Sequence, residues 1–356
     1  MDALITLLPG DGIGTEVTSA ARLVLEEVAQ RYRHNFEFDV QLIGGCAIDA
    51  TGDPLPETTI ASCKNSDAVF LGAVGGPKWS DPNASVRPEQ GLLGLRSVLG
   101  VYANLRPVKF IKELSSASPL KPEILEGVDM IVVRELTGGI YFGDKTREAT
   151  FATDVCRYET TEIERIIRVA ARLAESRSGK LCSVDKANVL ETSRLWRDVT
   201  NRIVRDEFPQ IELETLLVDA AAMHLLSRPR DFDVIVTENM FGDILTDEAS
   251  MLVGSLGMLP SASLCDSSQG LYEPIHGSAP DIAGKGIANP CGAIASAALM
   301  LRHSLGLADE AQAIEDAIIV ALSGGARTAD LVKKGASFLS TSEMVDRIIL
   351  GLRQPA

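Results

Sequence analysis

Short continuous apolar runs alternate along this chain with segments whose apolar positions recur at helical spacing. Ala3 to Leu8, Phe36 to Ile43, Asp67 to Leu71, Val128 to Glu135, Leu181 to Val184, Leu213 to Val218 and Phe232 to Val236 read as strands. Between Thr15 and Arg31 the residues Val17, Ala20, Ala21, Val24, Leu25 and Val28 share one side of a helix. Further helices are predicted over Thr160 to Ser176, from the Asp185 to Leu190 stretch on to about Asp206, over Ala220 to Leu226, and over Cys291 to Leu305, Asp309 to Leu322 and Thr341 to Leu352. Ala103 to Pro107 reads as a strand that proline ends or confines to an edge. Strands alternating with helices predict an open α/β sheet, where ligands sit beyond the carboxyl ends of the strands.

One predicted helix, Glu238 to Gly254, carries a charge pattern that packing does not require. Asp243 and Asp247 lie one turn apart, in line with Ser250 and Gly254, while Phe241, Ile244, Leu245 and Leu252 cover the opposite side. Two like charges so placed cost a helix roughly 0.2–0.5 kcal/mol. The dipole near the helix start recovers part of that, and a divalent cation would turn the repulsion into attraction. A solvated acidic face is the competing explanation.

Composition narrows the ligand classes. With 356 residues, 46% hydrophobic and 23% charged, the chain is an ordinary soluble globular protein long enough for one large or two medium domains. Its net charge of −15 repels nucleic acid and anionic membrane, so an anionic ligand must be held by locally concentrated arginine. The six cysteines form no Cys-x-x-Cys pair, which argues against a zinc site and predicts reduced thiols, most of them small core residues. The apolar stretch near Gly292 to Leu301 is too short to span a bilayer, and the amino terminus has no secretory pattern, so a cytoplasmic location is expected.

Several glycine- and arginine-bearing stretches carry candidate chemistry. Pro9-Gly10-Asp11-Gly12-Ile13-Gly14 follows the first strand, but its spacing is not that of a dinucleotide-binding fingerprint, and a tight strand-to-helix turn is the preferred reading. Gly72-Ala73-Val74-Gly75-Gly76 allows close backbone approach to another strand or to a ligand. Glu89, Leu92, Leu93 and Arg96 share one helical face, either half-buried on its leucines or a recognition face for a carboxylate and an aliphatic group. Arg134 follows an Ile-Val-Val run and cannot be buried without an anionic partner, and Gly138-Gly139 after it reads as a turn. Lys186, Asp219, Asp243 and Asp247 all fall just after strands. The loop from Leu271 to Pro290 is long, rich in glycine and still apolar, the mark of a functional loop.

Taken together, Pro9 to Gly14, Ala103-Asn104-Leu105-Arg106-Pro107, Leu136 to Gly143, Asn239 to Glu248 and His276 to Asp281 resemble the decarboxylating β-hydroxyacid dehydrogenases, the isocitrate/isopropylmalate dehydrogenase family, over nearly the whole chain. The resemblance implies a two-domain α/β fold with a large mixed sheet that is not a Rossmann fold. Residues 1–101 and 254–356 would form a discontinuous cofactor-side domain, and residues 102–253 a second domain with the dimer interface and the metal and substrate residues. It further implies an obligate homodimer with shared active sites, into which Lys186 and Asp219 reach from the partner.

The family reaction oxidises a 2-hydroxy acid with NAD and then expels CO2, and the isopropylmalate branch is the expectation here, in leucine biosynthesis. By that resemblance Mg2+ or Mn2+ is held by Asp243, Asp247 and the partner's Asp219. Arg96, Arg106 and Arg134 clamp the substrate carboxylates, with Glu89, Leu92, Leu93, Val189 and Asp219 also facing substrate. Lys186 is the base and Tyr141 the acid. NAD is expected along His276, Gly277, Ser278, Ala279, Asp281 and Asn289, with Gly75, Gly76 and Glu89 on the nicotinamide side. Asp281 would accept bonds from the ribose hydroxyls and repel a 2′-phosphate, its competing role being a helix N-cap. Rival substrates are isocitrate, homoisocitrate and tartrate or malate. A metal-dependent phosphohydrolase explains the aspartates but leaves Leu92, Leu93 and Tyr141 without roles.

Overall fold

The computed structural model describes residues 1–81 and 84–354. The chain folds into two compact units, one of residues 1–101 together with the chain from Gly254 onward, the other Tyr102–Val253.

The first unit opens with β1 (Asp2–Gly10), α1 (Gly14–Tyr32), β2 (Asn35–Val40), α2 (Gly45–Thr51), α3 (Glu57–Asn65), β3 (Ala68–Ala73) and α4 (Pro88–Leu99). β1 lies between β2 and β3, parallel to both, with Leu7 beside Phe70. The apolar stripe predicted on α1 is buried, and Arg33 closes the helix in the left-handed region at φ 62°. β2 ends at Val40, short of Ile43, and α2 and α3 were not predicted: both are short and begin without a side-chain cap.

The second unit comprises β4 (Ala103–Lys109), α5 (Pro122–Leu125), β5 (Asp129–Glu135), the hairpin β6 (Lys145–Arg147) and β7 (Ala152–Asp154), α6 (Thr160–Glu175), β8 (Lys180–Asp185), α7 (Glu191–Glu207), β9 (Glu212–Leu217), α8 (Val218–Ser227), β10 (Val234–Thr237) and α9 (Asn239–Val253). β5, β10, β8 and β9 run parallel in that spatial order. β4 is antiparallel to β5 along its whole length, with Pro107 paired to Ile131, so proline does not end that strand. β10 is buried at every position and β5 at most, as expected for strands covered on both faces.

On its return the chain adds β11 (Pro260–Leu264), β12 (Gly270–Pro274), α10 (Cys291–His303), α11 (Ala308–Ser323) and α12 (Thr341–Arg353) to the first unit. There β12 is parallel to β3 and antiparallel to β11. All six cysteines are free, but only Cys63, Cys182 and Cys291 are fully buried, fewer than expected. No helix among the described residues is long and apolar enough to cross a membrane.

Candidate active site

In the second unit the carboxyl ends of β5 and β10 lie side by side, Arg134 beside Thr237, and α9 starts two residues further on. This places Arg134 against one face of α9. Its Nε and Nη2 donate to Asn239 Oδ1 at 3.0 and 2.8 Å, and its Nη1 to Asp243 Oδ1. Arg134 is 3% exposed, and Asp243 is the anionic partner that its burial demands. Arg106, on the adjacent β4, donates through Nε to Asn104 Oδ1 at 2.8 Å and through Nη1 to Thr246 Oγ1, and its Nη2 lies 3.7 Å from Asp243.

Tyr141 Oη donates to Asp243 Oδ2 at 3.0 Å. Burial, and then the Asp243 charge, push the Tyr141 phenol above its usual range. Asp247, one turn further along α9, is raised by desolvation, with Arg106 opposing and Asp243 adding to the shift. The helix-start dipole is therefore not the main compensation for Asp243, which stands in the second turn: two guanidinium groups supply it. Ile244 departs from the predicted buried face and is 58% exposed.

A buried layer supports this cluster. Tyr158 Oη donates to Glu238 Oε2 at 3.2 Å and accepts from the backbone N–H of Asn239 at 3.0 Å. A Cβ built on Gly138 would come 2.5 Å from the Tyr158 ring, and one on Gly139 would come 2.5 Å from its hydroxyl oxygen. Glu135, fully buried, accepts from the N–H groups of Thr137 and Gly138 and shapes the turn that leads to Tyr141.

Lys186 follows β8 and stands apart from this group. Asp185, 1% exposed, accepts two bonds from Arg197 at 2.8 and 2.7 Å and one from the Ala187 N–H at 2.9 Å. The turn this fixes brings the N–H groups of Val189 and Leu190 onto the Lys186 carbonyl. Lys186 Nζ lies 2.5 Å from Oδ1 of Asp219 on the first turn of α8, and this bond draws the Asp219 carboxyl below its usual range. Among the described residues no three histidine, cysteine or acidic side chains gather closely enough to hold a metal ion, so one chain does not bring Asp219 to the Asp243–Asp247 pair.

In the first unit, Asp11 is buried and organises the backbone around it. Its Oδ2 accepts from the N–H of Gly45 and Gly75 at 2.7 and 2.8 Å, and its Oδ1 from that of Cys46. The Ile13 N–H donates to the Ser278 carbonyl at 2.8 Å, and a Cβ on Gly12 would lie 2.0 Å from that oxygen. The Gly10 to Gly14 stretch is thus a filled turn. Gly75, at φ 101°, faces Glu89, whose Oε1 would be 3.2 Å from a Cβ there, whereas Gly76 faces Trp79.

On α4 the buried stripe is Gly91, Leu95 and Leu99. Leu92 and Leu93 are half-buried, with Leu92 packed against the core formed by Leu95 and Leu99, and Glu89 is exposed. Arg96 is buried, donates through Nη2 to Glu273 Oε1 at 2.9 Å, and has no partner for its Nε. The loop after β12 is open: a Cβ on Gly277, Gly284 or Gly286 would meet nothing within 4 Å. His276 Nδ1 lies 3.0 Å from the Gly277 carbonyl, and its Nε2 is buried without a partner. Asp281 is exposed and starts no helix, since α10 begins at Cys291. Asn289 is built into that helix start: its Oδ1 accepts from the Cys291 N–H and its Nδ2 donates to Asp330.

The family model described as isocitrate/isopropylmalate dehydrogenase matches residues 4–348. The chain belongs to that family. It is 57% identical over 357 residues to a 3-isopropylmalate dehydrogenase of Rhodopirellula baltica, covering 99% of each protein. It is 56% identical to a 3-isopropylmalate dehydrogenase of Bacillus subtilis, covering 98% of this chain and 96% of the relative. Among solved structures it is similar to an isocitrate dehydrogenase of Methylococcus capsulatus, with a TM-score of 0.88, 35% identity, and 99% of this chain and 100% of the other covered.

Sequence reasoning missed Asn104, Asn239, Thr246 and Glu273, which hold the three arginines of this family member. The signal was present for two of them. Asn104 lies two residues before Arg106 on a strand, and Asn239 four residues before Asp243 on a helix, each on the same face. Glu273 is far from Arg96 in sequence and had no such signal.

Proposed function

We propose that this enzyme oxidises 3-isopropylmalate with NAD and decarboxylates it to 4-methyl-2-oxopentanoate and CO2, the step expected in leucine biosynthesis. The observation that carries the reading is the Arg134–Asp243–Tyr141 cluster with Arg106 beside it: cations for carboxylates, a carboxylate for a metal, and a protonated phenol, all held by the chain itself. The relatives named 3-isopropylmalate dehydrogenase, at 56–57% identity against 35% for the isocitrate enzyme, favour the aliphatic substrate. The half-exposed Leu92 and Leu93 are the groups that would meet its isopropyl branch.

The donor set fits a hard divalent cation such as Mg2+ or Mn2+, because Asp243 and Asp247 offer carboxylate oxygens one turn apart on α9. When bound, the metal would supply Lewis acidity toward the substrate hydroxyl and carboxylate, and NAD would supply the hydride acceptor. The third ligand, Asp219, would come from a partner subunit together with Lys186, the pair already joined at 2.5 Å. Lys186 would take the hydroxyl proton. Tyr141, whose raised pKa keeps its proton at neutral pH, would give one to the carbon left by CO2. Arg96, Arg106 and Arg134 would orient the substrate carboxylates, with Val189 on the lysine turn also facing substrate.

A homodimer is supported by side chains that α8 and α9 leave in water: Met223 at 62%, Ile244 at 58%, and Leu226 and Met251 also exposed. NAD would lie along His276 to Asn289. Gly277, Gly284 and Gly286 leave that loop's surface open, the His276 Nε2 awaits a partner, and Asp281 is free to meet ribose hydroxyls. Asn289 would contribute its backbone, and Gly75, Gly76 and Glu89 would face the nicotinamide.

The test is reduction of NAD and of NADP with Mg2+, comparing 3-isopropylmalate, isocitrate and tartrate. The expected outcome is turnover of 3-isopropylmalate with a preference for NAD of about a hundredfold or more, since a carboxylate facing a phosphate is repulsive in a partly desolvated site. Faster turnover of isocitrate would overturn the substrate assignment, and equal use of both cofactors would overturn the role of Asp281.

A further inference from the structure

Asn239 lies at the centre of the second unit's cluster, and the chemistry proposed above leaves it without a role. It is 1% exposed and every polar group of its side chain is engaged. Its Oδ1 receives two N–H groups of the Arg134 fork, at 3.0 and 2.8 Å. Its Nδ2 donates to the Gly138 carbonyl at 3.2 Å, in the turn leading to Tyr141, and its backbone N–H donates to Tyr158 Oη. On α9 it stands one turn before Asp243, the partner of Arg134 Nη1 and of Tyr141 Oη. One amide thus sets the direction of a guanidinium and ties the tyrosine-bearing turn to the same helix.

The chemical type of the acceptor matters as much as its place. A carboxylate at position 239 would hold the same fork, but with a second negative charge beside Asp243 it would cancel the charge of Arg134. A neutral amide orients the fork and leaves its charge for Asp243 and for an incoming carboxylate. Arg106 is held in the same manner, through its Nε by the amide oxygen of Asn104 at 2.8 Å.

We propose that Asn239 is a positioning residue for the reaction, one that aims Arg134 at the substrate carboxylate through a neutral acceptor while fixing the turn that carries Tyr141. The inference rests on the substrate-binding role proposed for Arg134.

Three variants of the full-length enzyme test it: Asn239→Asp, which keeps the shape and the acceptor for Arg134, adds charge and removes the donor to Gly138; Asn239→Ala, which removes acceptor and donor together; and Val199→Ala, a buried change on α7 in the same unit. KM for 3-isopropylmalate, KM for NAD, kcat and thermal melting are measured for each. Asn239→Asp is expected to raise KM for the hydroxy acid roughly tenfold or more, the range for losing a partner that orients a site group, and to leave KM for NAD within about twofold. Asn239→Ala is expected to raise the same KM, and both variants are expected to lower kcat as well, because neither can donate to the Gly138 carbonyl and the tyrosine turn loses its tie. Val199→Ala is expected to lower the melting temperature and leave both KM values within about twofold.

If KM for the hydroxy acid in both Asn239 variants stays at the wild-type value, or moves no further than in Val199→Ala, Asn239 is structural packing and the proposal falls. Should Asn239→Ala fail to fold, the nearly isosteric Asn239→Asp decides alone. If the wild type used a different hydroxy dicarboxylate, the substrate reading would fall, while the same comparison run on that acid would still decide the role of Asn239.

Discussion

The candidate residues of the two units are built on opposite plans. In the second unit the site is made of side chains that satisfy one another: Arg106, Arg134, Asn104, Asn239, Tyr141, Thr246 and Asp243 form one connected set of charge-assisted bonds. In the first unit the loop from Gly277 to Asn289 presents backbone and open glycines, with few side chains committed to anything. A connected side-chain network resists rearrangement, so it suits a site where charge must be met at fixed points. Open backbone accommodates a large ligand by shape, and each of its contacts is individually weak. Substitutions in the second unit are therefore expected to cost rate and stability together, and those in the open loop to cost cofactor affinity alone.

The largest expected effect is at Asp243. Asp243→Asn is expected to reduce turnover by more than the roughly hundredfold that loss of an outer partner costs, because it removes a charge from a site that needs several. The fold is weakened too. Arg134 would lose its carboxylate while keeping one amide acceptor, and a loss of about 1–3 kcal/mol is expected from weakening a buried charged hydrogen bond. Turnover measured against Mg2+ concentration, beside a thermal melt, checks both parts. Unchanged turnover at limiting Mg2+ would show that Asp243 holds no metal.

Two glycines place the contrast inside the first unit. Gly12 has φ 57°, and a Cβ there would lie 2.0 Å from the Ser278 carbonyl oxygen, whereas a Cβ on Gly277 would meet nothing within 4 Å. Gly12→Ala is expected to cost on the order of 2–4 kcal/mol, from left-handed backbone strain together with overpacking against main chain. Gly277→Ala is expected to leave the melting temperature nearly unchanged and to raise KM for NAD. Equal melting temperatures for the two variants would mean that the Gly12 turn relaxes freely. An unchanged KM for NAD in Gly277→Ala would remove that glycine from the cofactor surface.

How much of this was legible follows the same division. The long amphipathic helices and the buried strands were readable because burial imposes a period on the sequence, as on α1 and β5. α2 and α3 were not, being too short to show a period and starting without caps. Arg134 announced its need of a partner through its position after an apolar strand. That Asp243 is that partner was hidden, because the bond joins residues 109 apart in sequence. Ile244 misled because an apolar residue on a helix is read as core until the helix's exposed side is known; it is 58% exposed, as Met223 on α8 is at 62%. The Asp281 N-cap alternative failed for a local reason, since the residues directly after it form a turn and the next helix starts only at Cys291.

Next in size is the α4 face, where the two leucines are not equivalent. Leu92 packs against Leu95 and Leu99 of the core, whereas Leu93 is half-exposed and outside that cluster. Leu93→Ala is expected to lower kcat/KM for 3-isopropylmalate by about 10-fold or more at little cost in stability, the scale of discrimination by one aliphatic contact. Leu92→Ala is expected to lose stability as well, about 1–3 kcal/mol for a partly buried leucine. Measuring both variants on 3-isopropylmalate and on malate, which lacks the branch, separates recognition from packing. If the two rates fell in equal proportion, these leucines would be core alone.

The smallest expected effect concerns the pH dependence of the buried layer. Burial raises the Glu238 carboxyl above its usual range, and the N–H of Phe241, the hydroxyl of Tyr158 and the charge of Arg134 only partly oppose it. A raised folded-state pKa means that the native protein holds this proton more tightly than the unfolded chain does. Stability from this group is therefore fully present below the unfolded-state value near 4.5 and is lost as pH rises through the folded-state value. Glu238→Gln keeps an acceptor for the Phe241 N–H and never ionises, so it escapes that loss. Its stability relative to the wild type, followed by thermal melting, is expected to rise as pH climbs above the unfolded-state value near 4.5, by on the order of 1 kcal/mol for each tenfold difference in proton affinity between the folded and unfolded states. The Tyr158 hydroxyl would then face an amide instead of a carboxylate, a constant penalty that lowers the whole difference curve without changing its slope. A difference that stays flat across this range would show that Glu238 is ionised as readily in the folded enzyme as in water, and that the layer beneath Asn239 is wetter than its burial implies.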